Sequence, residues 1–368
     1  MSHRERIAAC QKRLASEGAD AAVLFPSVDM GYLSGFTDEP MERHLLLFVT
    51  PDEPPVFVAP AMYESQILGE SVVDDVRVWD DGGDPLELVE EVASECGLHG
   101  GRLLVDDRMW ARFSQDLRSV LPDASFGLAS DVLAPLRIRK DEGELDALRA
   151  AGEVADRAVM AVRRLGSEVV GFTEAELAQE IEAQLAEFGG TGVSFEVIVG
   201  SGPNGAQPHH RHGQREIRPG DPVVLDFGTR VDGYPSDQTR TVVFAGDPPA
   251  GFDEVHDVVR EAHDAAVDAV EPGVAAEAID AAAREVIEEA GYGEQFVHRT
   301  GHGVGLEVHE PPYIVEGNET ALEPGMVFSV EPGVYVEGEF GVRIEDLVAV
   351  TENGHERLND SSRDWKPL

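Results

Sequence analysis

The chain has 368 residues, with 71 Asp and Glu against 29 Lys and Arg, a formal net charge of −42 at neutral pH. A field of that sign repels nucleic acid and anionic lipid, which excludes both as ordinary partners, and no apolar run approaches the roughly 20 residues a bilayer span requires, so a soluble protein is expected. Only Lys12, Lys140 and Lys366 are lysines; acid excess spread along a chain so poor in lysine is the pattern of a halophilic protein, whose self-repulsion is screened by concentrated cations.

A chain of this length suits two domains, each able to bury its own core. The N-terminal MSHRERIAACQKRLASEGAD is charged and amphipathic and has no apolar signal-like run. Cys10 and Cys96 lie far apart without CxxC spacing, so neither a disulfide framework nor a thiolate metal site is expected, and a reducing cytoplasm fits. Up to about residue 137, the short apolar runs AAVLF, HLLLFVT, VFVAP, VRVWD and RLLVDD alternate with helical stretches such as 85–96. This is the pattern of an α/β domain, and we place the boundary at 137, with domains over 1–137 and 138–368.

The segment PLRIRKDEGELDALRAAGEVADRAVMAVRRLG then opens an amphipathic helix with Leu145, Leu148, Val159 and Val162 on helical spacing. A second helix starts at Thr173, whose TEAE is a capping box, and carries Leu177, Ile181 and Leu185 on one face. VSFEVIVGSG, DPVVLDFGTRV and QTRTVVFAG read as strands. Helices follow at roughly 252–270 and 274–290, the latter closed by Gly291. TGHGVGLEVHE, MVFSVEPGVYV and GVRIEDLVAV end the chain, mostly as strand, so the second domain is α+β: a β-rich core backed by helices.

Two hairpins carry the chemistry. In PVVLDFGTRVDGYPSDQTRTVVF a turn at Asp232 and Gly233 puts Asp226 and Asp237 on one face of neighbouring strands, directly opposite or one step diagonal. Facing carboxylates are destabilising unless a cation lies between them. In FSVEPGVYVEGEFGVRIEDLV a turn around Gly338 brings Glu331 and Glu345 together by the same arithmetic. Between the hairpins, GHGVGLEVHE offers His302 as a nitrogen ligand, with Gly301 and Gly303 letting the backbone pass close to the site. This donor set suits hard or borderline cations, and bridging carboxylates suit two of them. The helix-disfavouring Thr300, Gly301 and Gly303 argue against a helical His298/His302 zinc pair, so His298 is read as a supporting residue. Tyr234 and Tyr335 are read as packing residues. No G-x-S-x-G elbow is present, and neither cysteine has a neighbouring histidine.

The stretches SGPNGAQPHH, VVLDFG, GYPSDQTRT, HRTGHGVGLEVHE, EPGVYV and GVRIED, in that order, resemble the pita-bread metallopeptidase family of Xaa-Pro aminopeptidases and Xaa-Pro dipeptidases (prolidases). The resemblance runs from about residue 138 to the end, and MGYLSGF and ERHLLLFV resemble the family's creatinase-type N-terminal domain. It implies a creatinase-type α/β domain followed by a pita-bread (creatinase/aminopeptidase) catalytic domain. It also implies two divalent metal ions, manganese foremost and cobalt or zinc otherwise, held by Asp226, Asp237, His302, Glu331 and Glu345. Of these, Asp237 and Glu331 match residues associated with water activation.

By the same resemblance, His209, which has His210 and His212 beside it, matches a histidine that stabilises the tetrahedral intermediate. His309 matches one that contacts substrate, and Arg343 matches a site arginine. The implied substrates are proline-containing dipeptides or short peptides, and the implied assembly is a homodimer. Alternatives left open are an aminopeptidase of another specificity and a non-catalytic binding protein of the same fold.

Overall fold

The apolar runs of the first 137 residues become β1 (Ala21–Leu24), β2 (Leu46–Val49), β3 (Val56–Pro60), β4 (Asp75–Trp79) and β5 (Arg102–Val105). They form one sheet with β6 (Ser125–Leu128), in the order β4-β3-β2-β1-β5-β6. β6 was not foreseen, because SFGL is short and half exposed and so lacks the apolar signal of its neighbours. Helices α1 (His3–Glu17), α2 (Val28–Ser34), α3 (Glu64–Glu70), α4 (Pro85–Glu95), α5 (Ala111–Val120) and α6 (Ser130–Arg137) complete this unit. Val23, Phe48, Val58, Val92 and Leu117 are among the side chains buried in its core. In the computed structural model, which describes residues 1–367, contacts divide the chain into Met1–Arg137 and Ile138–Leu368.

The second unit begins with α7 (Glu142–Arg164), started by a capping box between Asp141 and Glu144; such a cap contributes about 1 kcal/mol. α8 (Glu174–Glu187) has the same device in Thr173 and Glu176. Ala155, Val159 and Val162 of α7 and Leu177, Ile181 and Leu185 of α8 bury one core. Against it lies a sheet in the order β11-β8-β7, made of β7 (Ile198–Ser201), β8 (Pro222–Phe227) and, after the short pair β9 (Arg230–Val231) and β10 (Tyr234–Pro235), β11 (Gln238–Val243). α9 (Phe252–Asp268) and α10 (Ala276–Glu289) follow. Gly291 then takes the left-handed φ of 87° that ends the second helix.

The remaining strands are β12 (Gly301–Gly303), β13 (Glu310–Ile314), β14 (Val327–Val330), β15 (Gly333–Val336), β16 (Phe340–Arg343), β17 (Asp346–Thr351) and β18 (Gly354–Arg357). Five of them form a sheet in the order β13-β12-β14-β17-β18, and β15 and β16 form a hairpin. Val255, Val259, Ala262 and Ala266 of α9 pack with Phe328, Val330, Val342 and Val348 in the main core. Among the described residues, no helix is long and apolar enough to cross a membrane.

Two expected strands are shorter than their composition suggests. VSFEVIVGSG becomes strand only from Ile198. Ser194 Oγ instead lies 2.9 Å from Thr229 O and 2.8 Å from Ser236 O, its one proton shared between the two carbonyls, which pins this stretch across the neighbouring hairpin rather than along a ladder. In TGHGVGLEVHE only β12 and the final Glu310, which opens β13, are strand. The stretch 304–309 then loops out, and pairing resumes at Glu310 after a register shift at His302/Gly303.

Candidate metal centre

Asp226 sits near the end of β8, and Asp237 immediately precedes β11. In that ladder Thr239 faces Asp226 and Gln238 faces Phe227. Asp237 therefore lies diagonal to Asp226, one of the two placements the sequence left open. The register is held by the turn between β9 and β10, where Asp232 has φ 49° and Gly233 φ 84°, the left-handed pair of a type I′ hairpin.

The second pair follows the same logic. Gly333 faces Arg343 in one ladder and Val330 faces Asp346 in the next. One register thus spans both, with Glu331 and Glu345 as partners in the gap between them. Thr239 ties the two hairpins together. Its carbonyl accepts from Glu345 N–H at 3.1 Å, and its hydroxyl donates to Glu345 Oε2 at 2.7 Å.

His302 enters on β12, squeezed between neighbours. A Cβ at Gly301 would lie 1.8 Å from Ser329 O, and one at Gly303 would lie 2.4 Å from Glu310 O. Only glycine on either side allows this close approach.

Asp237, His302 and Glu345 are buried and offer ligand atoms all within 4.8 Å of one another. His302 Nε2 is 3.3 Å from Glu331 Oε1 and 3.7 Å from Asp237 Oδ2. Asp226 completes the set from the side: its Oδ2 accepts from Arg343 Nη2 at 2.5 Å, while its Oδ1 is buried with no hydrogen-bond partner. A buried carboxylate oxygen without a donor is costly, and in an acid cluster a cation is the natural partner. Burial, followed by Asp226 and Glu331, raises the Asp237 carboxyl well above its ordinary value; burial and then Asp237 do the same to Glu345. Without added positive charge these acids resist ionising together. The orphaned oxygen and the oxygen-rich donor set with one imidazole fit divalent metal ions.

Arg343 is buried and donates from Nη1 to Tyr335 Oη at 2.9 Å and to Pro208 O at 3.2 Å. His298 Nε2 lies 2.8 Å from the same tyrosine oxygen, so a polar chain runs from His298 through Tyr335 and Arg343 to Asp226. The packing assignment of the two tyrosines was incomplete. Tyr335 is buried, which pushes its hydroxyl up to about 12, and it links two site residues; Tyr234 donates to Glu144 at 2.8 Å.

The ring of His309 stands edge-on to His302 with centroids 4.1 Å apart. Burial, followed by His302, holds this imidazole below its ordinary value. His209 sits on the loop after β7. A cavity of about 330 Å³ is lined by every candidate named from the sequence: His209, Asp226, Asp237, His302, His309, Glu331, Arg343 and Glu345. It is also lined by Phe195, Ile198, Arg299 and Val308, none of which sequence reasoning singled out. Thr239 was missed too, although its place two residues after Asp237 on the same strand face was a usable signal.

The chain has relatives among known proteins. Residues 146–352 match the model of metallopeptidase family M24, and residues 6–139 match that of the creatinase/prolidase N-terminal domain. The chain is 43% identical over 363 residues to the probable dipeptidase PepE of Mycobacterium tuberculosis, covering 96% of this chain and 94% of that protein. It is 37% identical to the Xaa-Pro dipeptidase of Lactobacillus delbrueckii subsp. lactis, covering 97% of each. Among solved structures, the recombinant prolidase of Thermococcus sibiricus superposes with a TM-score of 0.95 at 39% identity, over 100% of both chains.

Proposed function

The chain belongs to metallopeptidase family M24, with an N-terminal domain of the creatinase/prolidase type, and from that premise we propose that it hydrolyses the bond between an N-terminal residue and proline in dipeptides. The observation that carries this is the convergence of four acids and one imidazole on one cavity, in a chain that aligns from end to end with an Xaa-Pro dipeptidase.

Asp226, Asp237, His302, Glu331 and Glu345 would hold two divalent cations. When bound, such ions supply Lewis acidity toward the scissile carbonyl and bring the pKa of water near neutrality. Arg343 occupies Oδ2 of Asp226 and so leaves Oδ1 for a cation. Glu331, whose Oε1 accepts from Ser329 Oγ at 3.3 Å, takes the proton of the attacking water and delivers it to the proline nitrogen as the C–N bond breaks. His209 and His309 donate hydrogen bonds to the carbonyl oxygen as it gains charge, where such donors lower the barrier most.

The test is hydrolysis of Ala-Pro and Ala-Pro-Ala in concentrated KCl, with Mn²⁺, Co²⁺ or Zn²⁺ restored after chelation. Cleavage of the dipeptide alone is expected. Cleavage of the longer peptide makes the protein an aminopeptidase, and inertness toward both with every ion favours a binding role. We take manganese as the native ion, the one the family resemblance puts first, with the donors themselves accommodating several metals; protein isolated without added metal and carrying zinc would contradict this. We also take the assembly as a homodimer working in a cytoplasm rich in salt. Sedimentation equilibrium giving the monomer mass would rule out the dimer.

A further inference from the structure

Glu174 is the first residue of α8, and its side chain is fully buried at 0% exposure. The helix does not need it as a cap, since Thr173 and Glu176 already form the capping box. Nor is it needed to dock the helix, since Leu177, Ile181 and Leu185 share a core with Val197 and Val199.

The carboxylate instead gathers donors from a single loop. Oε1 accepts from Ser201 N–H at 2.9 Å, from Ser201 Oγ at 2.7 Å and from Asn204 Nδ2 at 2.9 Å. Oε2 accepts from His210 Nε2 at 2.8 Å and from Gly213 N–H at 3.3 Å. The Ser201 hydroxyl also accepts from Arg215 Nη1 at 2.6 Å, which turns its only proton toward Glu174. The donors therefore sit at the start, middle and end of 201–213, and His209 lies within that loop beside one of them. Burial alone would raise this acid, but the hydrogen bonds from Ser201, His210 and Asn204 outweigh it and hold the carboxyl below its ordinary value. The side chain is thus an ionised hub in a buried place, where a carboxylate is tolerated only if its lone pairs are filled.

We propose that Glu174 is a positioning residue that fixes His209 at the cavity by holding both ends and the middle of its loop. This rests on the reading of His209 as a donor to the developing oxyanion. A glutamine here turns an amide N–H₂ toward groups that are themselves donors, so part of the hub opens and the loop loosens.

In the metal-loaded enzyme, Glu174→Gln is expected to lower kcat on Ala-Pro by roughly ten- to a hundred-fold, the scale on which a small misplacement of a reacting group acts. KM and metal stoichiometry should stay near those of the parent. The deciding measurement is a double-mutant cycle with His209→Ala. Glu174→Gln should cost no further turnover once the imidazole is gone, while its effect on the melting temperature is the same in both backgrounds. Asn204→Ala removes one donor and keeps the carboxylate. It should show the same pattern on a smaller scale, and it serves where Glu174→Gln does not fold. Equal losses of kcat in both backgrounds, or unchanged turnover in Asn204→Ala, overturn the inference and leave the role of His209 standing. Full turnover in His209→Ala overturns both.

Discussion

At the scale of single residues, the buried and unpartnered Oδ1 of Asp226 and the raised carboxyls of Asp237 and Glu345 say the same thing: the centre is short of positive charge. Asp237→Asn keeps the shape of that side chain and removes its charge. We predict that it lowers the metal-to-protein ratio measured by mass spectrometry and lowers turnover in step; a ratio equal to that of the parent would contradict a ligand role. His209→Ala and His309→Ala should keep their metal and lose kcat by roughly 10²–10³-fold, the cost of removing one hydrogen-bond donor to a developing oxyanion. The acid pairs were legible because turn signals set strand register, and register decides which side chains face one another. His302 was legible from its flanking glycines. Phe195 and Val308 were not, because they stand on 193–197 and 304–309, irregular backbone whose direction no periodicity encodes.

Among elements, the helices of the second unit were readable to within a few residues: in α7 and α8 capping boxes and apolar spacing agree, whereas α9 and α10 start without a side-chain cap and were legible from apolar spacing and, for α10, from Gly291. Strand ends were read too long wherever β-branched composition continued past the last paired residue. What composition does not reveal is the buried polar contact between distant segments. Lys140 Nζ meets Glu310 Oε1 at 2.8 Å, with side chains only 1% and 4% exposed, joining the approach to α7 to the start of β13. Lys140→Met would bury the glutamate without its lysine, at a cost of about 3–5 kcal/mol. The double variant with Glu310→Gln should recover much of that loss in denaturant unfolding, and a double variant as unstable as the single would show that the charge is not the issue.

On α9, His256 is 1% exposed, and burial, ahead of Arg260, lowers its pKa to about 4. The unfolded chain takes up a proton near the ordinary value of about 6.5, while the folded one resists until about 4. The stability that depends on the neutral ring is therefore present above pH 6.5 and lost as pH falls through that window. His256→Leu should flatten this part of the pH–stability curve. An identical slope in parent and variant would place the proton uptake elsewhere.

For the whole molecule, the net charge of −42 sets a condition that the fold itself does not relieve. Surface pairs such as Arg139 with Glu323, at 2.8 Å and about half exposed on both sides, contribute about 0–1 kcal/mol each. Acids outnumber bases 71 to 29, so repulsion among like charges outweighs attraction and decides the sign of the salt effect. At an ionic strength of about 0.1 M the screening length is roughly 10 Å, long enough for neighbouring surface acids to repel; at about 1 M it is roughly 3 Å, and each acid is nearly isolated. Added salt also weakens the attractive pairs, but the excess of acids makes relief of repulsion the larger effect. The melting temperature is therefore expected to rise steeply between about 0.1 M and 1 M KCl, and activity should fall on dialysis into dilute buffer and return when salt is restored. A melting temperature and turnover unchanged by dialysis would mean that the charge is spaced widely enough to need no screening, and would remove the ground for a halophilic setting.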